Sequence, residues 1–260
     1  LTSLLRLQND PKLALELFRN PNPNPNPKQA NPQRPFRYSL SSYDILISKL
    51  SRAKMFREME GILLQLKSET RFVAREPLFC NIITSYGRAR LPDKARKLFD
   101  EIPSFRCERT VKSYNTLLNA FFLCKEYHKM RDFFVDIVRS VKPDACTYNI
   151  LIRGMCATGR VDDARKMFDG MPKRGVTPTV VTFGNLIHGY CSDLRVKEGF
   201  RLKSDMVRGK NEDLFWSVFD CLGRGNVIDV ATWRLAIVKA LKEDKLSSAC
   251  PLLDSLQQFT

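Results

Sequence analysis

The sequence predicts an all-α fold, a right-handed α-solenoid of stacked helix–turn–helix repeats of about 35 residues each. The first observation is a near-duplication, since residues 112–119, KSYNTLLN, recur 34 residues later as 146–153, CTYNILIR. A third echo, VTFGNLI, occupies 181–187. The second observation is that apolar residues in and between these segments recur with helical spacing. Neighbouring helical hairpins of this kind bury one another's apolar faces, so the array shares one continuous core.

The composition indicates a folded, basic chain. Hydrophobic residues make up 43% of its 260 residues, which is enough to form a sizeable core, and the formal net charge is +15. Such an excess of cations favours a polyanionic partner, nucleic acid first and an anionic membrane surface second. The alternative is a basic surface that only maintains solubility. No apolar run reaches the roughly 18 residues of a membrane-spanning helix.

The cysteines are predicted to be core residues and not metal ligands. No two of the eight have C-x-x-C spacing, and the sequence has only two histidines, His128 and His188. A zinc site needs four ligands at short spacings, so we predict neither a metal nor another cofactor. Most of the cysteines occupy apolar positions of predicted helices, as is typical of a reducing compartment.

The chain begins with a partial helical repeat and a loop. Residues 1–19 are predicted to form a partial N-terminal helical repeat, in which Asp10 caps a helix that begins at Pro11. Residues 20–39 are predicted to form a Pro/Asn-rich loop, because alternate prolines remove amide donors and hold the preceding residues extended.

The repeat array is predicted over 40–211. Its five repeats are assigned to 40–75, 76–110, 111–144, 145–179 and 180–211, and each has two apolar stripes at i, i+3, i+4, i+7 spacing. Residues 212–229 are interpreted as a degenerate or incomplete repeat and 230–260 as a C-terminal capping repeat. Either the array contains a degenerate repeat there or residues have been lost between Val207 and Asn211.

Three motifs carry a resemblance to a known family. They are TYNILIRG at 147–154, GRVDDA at 159–164 and MPKRGVTP at 171–178, and VVTF at 180–183 opens the next repeat in the same style. With the 35-residue period and the trailing Gly-x-x-Pro, the chain resembles the pentatricopeptide repeat proteins of plant organelles, of the pure repeat type. The resemblance covers nearly the whole chain, strongly from 40 to 206. It implies an organellar, non-catalytic α-solenoid that contacts RNA.

The resemblance also implies which residues read bases. In this family each repeat contacts one base, through its fifth residue and the last residue before the next repeat. Asn115 with Asp144 would favour uracil, and Asn149 with Thr179 would lean toward a pyrimidine. The remaining candidates depart from the family's pattern: Asp44 with Arg75, where the two side chains could simply pair with each other, Cys80 with Thr110, and Gly184.

Base stacking and phosphate contacts complete the candidate site. The second residue of each repeat normally sandwiches a base, and Val181 and Cys146 suit that role, whereas Ser41, Pro77 and Lys112 fit it poorly. Because cations stay plentiful while few pairs follow the family's pattern, we expect phosphate contacts to position the RNA. The candidates for phosphate contact are Arg88, Lys94, Lys112, Lys125, Arg153, Arg160, Lys173 and Arg174.

The predicted function is therefore that of a non-catalytic organellar RNA-binding protein. We favour a structural subunit of the mitochondrial ribosome that contacts rRNA and neighbouring ribosomal proteins. The alternatives are a transcript-binding factor for organellar mRNA processing, stability or translation, and a protein–protein scaffold. A deaminase is excluded because neither histidine is followed by Glu two places on. No membrane partner or small-molecule substrate is expected. The expected location is the mitochondrion, with the chloroplast second, and the sequence opens at Leu1, so no targeting peptide is expected within it.

Overall fold

The computed structural model describes residues 1–21, 38–195, 197–199 and 201–202. Within these residues the chain is helical and contains no strand, as predicted. The α-helices are α1 Thr2–Leu7, α2 Pro11–Arg19, α3 Leu40–Arg52, α4 Phe56–Ser68, α5 Glu76–Arg88, α6 Pro92–Glu101, α7 Val111–Cys124, α8 Tyr127–Ser140, α9 Ala145–Ala157, α10 Val161–Gly170 and α11 Val180–Ser192. Two short 3-10 helices, Ile102–Phe105 and Pro172–Arg174, follow α6 and α10.

The odd-numbered helices from α3 onward begin where the sequence repeats begin. They start at Leu40, Glu76, Val111, Ala145 and Val180, the first residues of the five repeats. We call α3, α5, α7, α9 and α11 the first helices, and α4, α6, α8 and α10 the second helices. The Pro/Asn-rich loop lies mostly outside the described residues, and the proposed segments 212–229 and 230–260, with the discontinuity near 207–211, lie wholly outside them.

The N-terminal hairpin shows why the chain folds locally as it does. Asp10 precedes α2 in extended conformation, its carboxylate accepts from the amide of Lys12, and Pro11 occupies the first turn. Both parts of that sequence prediction are confirmed. The hairpin packs on α3, where the Tyr38 hydroxyl donates to the Phe18 carbonyl at 2.8 Å and the two rings stack with centroids 4.2 Å apart.

The chain forms two compact bodies, residues 1–129 and 130–260. In the N-terminal body α3 packs against α4 and α5, and α5 packs against α6 and α7. The closest approach is between α5 and α7, where a Cβ placed on Gly87 would lie 2.8 Å from Cα of Ala120. Only a glycine permits this separation, so Gly87 sets the distance between two successive first helices.

The described part of the C-terminal body repeats this arrangement with the small residue on the other helix. Here α9 packs against α10 and α11. A Cβ placed on Gly189 of α11 would lie inside contact distance of the Cys156 sulfur on α9. The buried core around this contact consists of Tyr148, Ile152, Cys156, Val161, Ala164, Phe168, Met171, Leu186, Ile187, Tyr190, Cys191 and Leu202.

The cysteines largely confirm the prediction that they are core residues. Cys80, Cys107, Cys156 and Cys191 are buried, Cys124 is half-buried, and Cys146 is exposed. Burial raises the pKa of the Cys156 and Cys191 thiols to about 12, which keeps both protonated at neutral pH. Among the described helices, none is long and apolar enough to cross a membrane.

The turn between the two helices of each repeat has the same backbone geometry five times. The fifteenth residue of each repeat has φ between 59° and 75°, in the left-handed region. In every case its amide donates to the carbonyl three residues before it, and the next amide donates to the carbonyl five residues before it. This Schellman motif usually places glycine at the left-handed position. These fifteenth residues are Lys54, Arg90, Lys125, Gly159 and Leu194.

Four of these five residues have a side chain, so the turns are strained. Left-handed backbone costs a residue other than glycine about 1–2 kcal/mol. At Gly159 a Cβ would meet nothing within 4 Å. A side chain at this position would therefore be disfavoured by the left-handed backbone conformation and not by crowding.

We predict opposite effects of one substitution at two helical glycines. Gly87→Ala should lower the free energy of unfolding by about 1–3 kcal/mol, because the new methyl group would overlap the backbone of Ala120. Gly61→Ala, in the middle of α4, should raise it by up to about 1 kcal/mol, because a Cβ there meets nothing within 4 Å and alanine favours the helix. Urea denaturation of both variants measures this. Equal effects would show that Gly87 does not set the helix separation.

Candidate nucleic-acid interface

The second residue of each repeat is exposed. Ser41, Pro77, Lys112, Cys146 and Val181 all lie in the first turn of a first helix and face solvent. Val181, whose side chain is apolar, is still 51% exposed. An apolar side chain held in water at the start of a helix can stack on a base, so Val181 and Cys146 have the exposure that the stacking prediction needs.

The fifth residues lie deeper than the second residues. Asp44 and Asn149 are half-buried, whereas Cys80, Gly184 and Asn115 are buried, with Asn115 8% exposed. Burial of a polar side chain in this row favours a specific hydrogen-bonding role over a solvated one. Cys80 is a poor candidate for base reading, because its thiol is buried and burial raises its pKa. Gly184 has no side chain with which to contact a base.

The last residue before each first helix is its N-cap. Asp144 and Thr147 form a capping box at the start of α9, and Thr179 and Thr182 form one at the start of α11. Thr110 caps α7 by accepting from the amide of Lys112, but Arg75 makes no side-chain cap bond to α5. Three of the four predicted base-reading residues at this place therefore also hold the start of a helix. The capping signal, Asp or Thr followed three residues later by Ser or Thr, is visible in the sequence.

The pair Asn149 and Thr179 is brought together. Asn149 Nδ2 donates to Thr179 Oγ1 at 3.4 Å, and Asn185 Nδ2 donates to the Asn149 carbonyl at 3.2 Å. The other amide atom, Asn149 Oδ1, is buried and has no hydrogen-bond partner among the described residues. A buried acceptor without a donor costs about 1–3 kcal/mol, so a ligand that donated to this atom would recover that energy.

Asn115 and Asp144 lie in different bodies, Asn115 on α7 and Asp144 at the start of α9. Asp144 Oδ1 accepts from both the amide and the hydroxyl of Thr147, at 2.9 and 3.0 Å. Cap formation therefore engages this carboxylate, and the joint reading of a base by Asn115 and Asp144 stays a prediction.

Asp44 and Arg75 interact electrostatically. Burial raises the pKa of Asp44 and the positive charge of Arg75 lowers it, with the result above the ordinary value. Asp44 Oδ1 is buried without a hydrogen-bond partner in the part of the chain that the structure describes. The charge of Arg75 thus acts on Asp44 without a hydrogen bond to this oxygen, and the pairing of the two side chains stays a prediction.

Thr110 is engaged by Glu76 at the first position of the same repeat. Glu76 Oε1 accepts from the Thr110 amide, the Thr110 hydroxyl and the Ser113 amide, at 3.0, 2.8 and 3.2 Å. Burial raises the pKa of Glu76, but the hydrogen bonds from Thr110 and Ser113 outweigh this and hold it below the ordinary value. Sequence reasoning missed this carboxylate, which joins the N-terminal end of α5 to that of α7.

The phosphate-contact candidates differ in whether carboxylates already bind them. Lys94 binds Glu60 at 2.8 Å and Arg160 binds Asp163 at 2.7 Å, so carboxylates already occupy these two cations. Arg153 is exposed on α9. The remaining five are exposed and make no ion pair within the described residues: Arg88, Lys112, Lys125, Lys173 and Arg174.

Ion pairs between successive second-helix segments explain why some cations are occupied. Glu60 binds Lys94, Asp93 binds Lys129 and Asp162 binds Arg195, at 2.8, 2.8 and 2.6 Å. Each partner lies 33 to 36 residues further along the chain, which is one repeat. Exposed pairs contribute little stability each, about 0–1 kcal/mol, but they neutralise basic residues on this side of the hairpins. A search for opposite charges one repeat apart would have found them.

Comparison with known proteins now adds the family. The model of the PPR repeat matches residues 41–70, 78–107 and 181–210, and that of the PPR repeat family matches 109–157 and 143–192. Together these matches cover more than half of the chain.

The chain belongs to the pentatricopeptide repeat family.

Two relatives from Arabidopsis thaliana illustrate the range of similarity within pentatricopeptide repeat proteins. A putative pentatricopeptide repeat-containing protein is 54% identical over 176 residues, 68% of this chain and 36% of that protein. The small ribosomal subunit protein mS78 is 32% identical over 178 residues, 68% of this chain and 42% of that protein. The chain thus spans less than half the length of these curated relatives.

Solved structures confirm the fold class. The maize pentatricopeptide repeat protein PPR10 matches 99% of this chain with a TM-score of 0.64 and 18% sequence identity, over 38% of its own length. PPR10 in complex with an 18-nt psaJ RNA element matches with a TM-score of 0.61. The described hairpins are therefore pentatricopeptide repeats in fold as well as in sequence.

We predict that Glu76→Gln destabilises the protein in a pH-dependent way. At pH 7 the free energy of unfolding should fall by about 1–3 kcal/mol, because charge-assisted hydrogen bonds to Thr110 and Ser113 become neutral ones. The pKa of Glu76 is lower in the folded protein than its ordinary value of 4.5. The stability that the ionised carboxylate contributes is therefore fully present above pH 4.5 and is lost as the pH falls through the pKa of the folded protein. Urea denaturation at pH 7 and at successively lower pH measures this. Glu16→Gln, at an exposed site on α2, is the control and should change stability little at any pH.

Proposed function

We propose that the protein binds RNA along its first helices and has no catalytic role. The observation that carries this is a placement repeated in each of the five repeats: the second residue is exposed, and the fifth residue lies about one turn further along the same helix. The pair Asn149 and Thr179 supports the proposal most directly, because it is joined by a hydrogen bond and leaves a buried amide oxygen for a donor. PPR10, which shares the fold, has been solved with RNA.

The exposed cations and the small number of base-reading pairs fit binding to RNA that is folded, or that other components already hold in place. Only two of the residue pairs suit base reading, which is too few to select a transcript, whereas five of the candidate cations are exposed and free of ion pairs in the described part of the chain. Phosphate contacts position a protein without reading sequence. The relative mS78 is a small ribosomal subunit protein. These observations support a structural subunit of the mitochondrial ribosome that contacts rRNA and neighbouring proteins.

A transcript-binding factor is the second candidate. It is favoured by the unpartnered Asn149 Oδ1, since an acceptor reserved for one base is more useful in selecting a transcript than in holding rRNA. The relative with 54% identity is described only as a putative pentatricopeptide repeat-containing protein. A scaffold for proteins would need neither this pair nor the free cations.

The proposed function predicts salt-dependent RNA binding. Fluorescence anisotropy with a 20-nucleotide single-stranded RNA of mixed sequence should show affinity that falls steeply between 50 and 200 mM salt, roughly as expected when several phosphates are contacted. No binding at 50 mM salt would overturn the proposal. Co-sedimentation with ribosomal subunits in an organelle lysate, as against recovery with a discrete transcript, separates the two candidates.

Base reading by Asn149 is tested by one substitution and a matched control. Asn149→Ala should weaken binding to a pyrimidine-rich RNA by about fivefold, which corresponds to the roughly 1 kcal/mol of a hydrogen bond, while the salt slope stays the same. Asn81→Ala, the same change at the exposed sixth residue of α5, should leave the affinity unchanged. If Asn149→Ala weakened binding to pyrimidine-rich and purine-rich RNA equally, the residue would have no role in base selection.

A further inference from the structure

The turns between first and second helices carry an unexplained pattern of charge. The left-handed residue is Lys54, Arg90 and Lys125 in three successive repeats of the N-terminal body, and Gly159 and Leu194 in the C-terminal body. The backbone hydrogen bonds are the same in all five turns. A cation gains some stability from the helix dipole at a helix C-terminus, but this gain is smaller than the cost of left-handed backbone for a residue with a side chain. Folding would therefore favour glycine at each of these turns.

The three cations are exposed and lie beside two others. Arg52 and Arg88, two residues before Lys54 and Arg90, also face solvent. We call these five residues, Arg52, Lys54, Arg88, Arg90 and Lys125, the turn row. None of them makes an ion pair in the described part of the chain.

Acidic residues near the turn row do not balance its charge. Burial raises the pKa of the Cys124 thiol, and the charges of Arg90, Glu126 and Asp93 also act on it, so both carboxylates lie near this turn. Asp93, however, is bound to Lys129 at 2.8 Å. Over the turns and the helix starts that follow them, segments 52–60, 88–94 and 124–129, eight Lys and Arg residues accompany four Asp and Glu residues, so this edge of the N-terminal body is positive.

The turn row is separate from the candidate base-reading surface. The fifth and fifteenth residues of a repeat are ten residues apart, which is about 15 Å along a helix axis. The base-reading candidates thus lie near the N-terminal ends of the first helices, and the turn row lies at and just beyond their C-terminal ends. A single strand that follows the fifth residues would not reach the turn row with the same nucleotides.

The chemistry of the row fits the backbone of paired RNA. The aromatic residues next to the turns, Phe56 and Tyr127, are half-buried and pack on Tyr86 and Phe122. Segments 52–55, 88–91 and 124–126 contain no other aromatic residue, so the turns lack exposed platforms on which unpaired bases stack. Since α5 packs against α3 and α7, the cations recur at the spacing of packed helices, about 8–10 Å. A rigid line of point charges suits the phosphates of an A-form duplex, which proteins recognise mainly by shape and backbone contacts.

We infer that the turn row binds the phosphate backbone of base-paired RNA, as a second RNA-contacting surface besides the row of first helices. This rests on the proposed function in that the partner is RNA and that Arg88 and Lys125 are candidates for phosphate contact, but it assigns them, with Arg52, Lys54 and Arg90, to a separate site and a different RNA structure. A protein with both surfaces would hold a duplex and an adjoining single strand together.

The test exploits the strained backbone. In the double variant Lys54→Gly and Arg90→Gly, glycine removes two charges and suits the left-handed conformation, so the urea midpoint should not fall. Neither residue is among the phosphate-contact candidates of the proposed function. Affinity for a 20-base-pair RNA duplex should drop at least tenfold at 100 mM salt. The slope of log affinity against log salt should become shallower by about 2, one phosphate contact for each lost cation. Affinity for the 20-nucleotide single strand should stay within about twofold.

Leu194→Gly is the matched control, because it relieves the same backbone strain without removing a charge. It should leave the affinity for both RNAs unchanged. The inference is overturned if the double variant binds the duplex as tightly as the unaltered protein, or loses affinity for duplex and single strand equally. If the unaltered protein binds single-stranded RNA but no duplex, the inference fails and the proposed function stands. Binding to neither RNA would overturn both.

Discussion

Close packing between successive first helices is the constraint on which the rest of each body depends. In the N-terminal body a glycine on α5 faces an alanine on α7, and in the C-terminal body a cysteine on α9 faces a glycine on α11. One of the two partners has no side chain in both cases, although the glycine lies on opposite members of the pair. This close approach keeps the second and fifth residues of neighbouring repeats in line, so any ligand that follows the helices meets equivalent side chains at regular intervals.

Much of the fold was predictable because a repeat gives the same signal several times. The period placed the starts of α3, α5, α7, α9 and α11, and Asp10 with Pro11 placed the start of α2. The close contacts at Gly87 and Gly189 were not predictable, since a glycine within a helix gives no sign of which neighbour it faces. The bond network of Glu76 was also missed, because it joins residues that are 34 and 37 positions apart and that only helix packing brings together.

The candidate site was predicted less completely than the fold. The second residues have the exposure that stacking on a base needs, and Asn149 contacts Thr179, while base contact by these residues stays a prediction. The resemblance gave no information on which cations remain available, because that depends on carboxylates one repeat away, such as Glu60 for Lys94 and Asp162 for Arg195. Charge counting overstates the basic surface wherever such pairs form. Among the exposed candidates for phosphate contact, Arg88 and Lys125 lie at the ends of first helices, Lys112 lies at the start of one, and Lys173 and Arg174 follow a second helix.

The N-cap role of the last residue limits how this protein could change its RNA preference. Thr110, Asp144 and Thr179 each accept a hydrogen bond from a backbone amide at the start of a first helix. A mutation there alters folding stability together with any contact to a base. Only residues that cap helices well, namely Ser, Thr, Asp and Asn, can be exchanged at this place without loss of stability. At these positions the evolution of RNA specificity is therefore confined to a small set of polar residues, whereas the fifth residues do not cap helices and are free of that restriction.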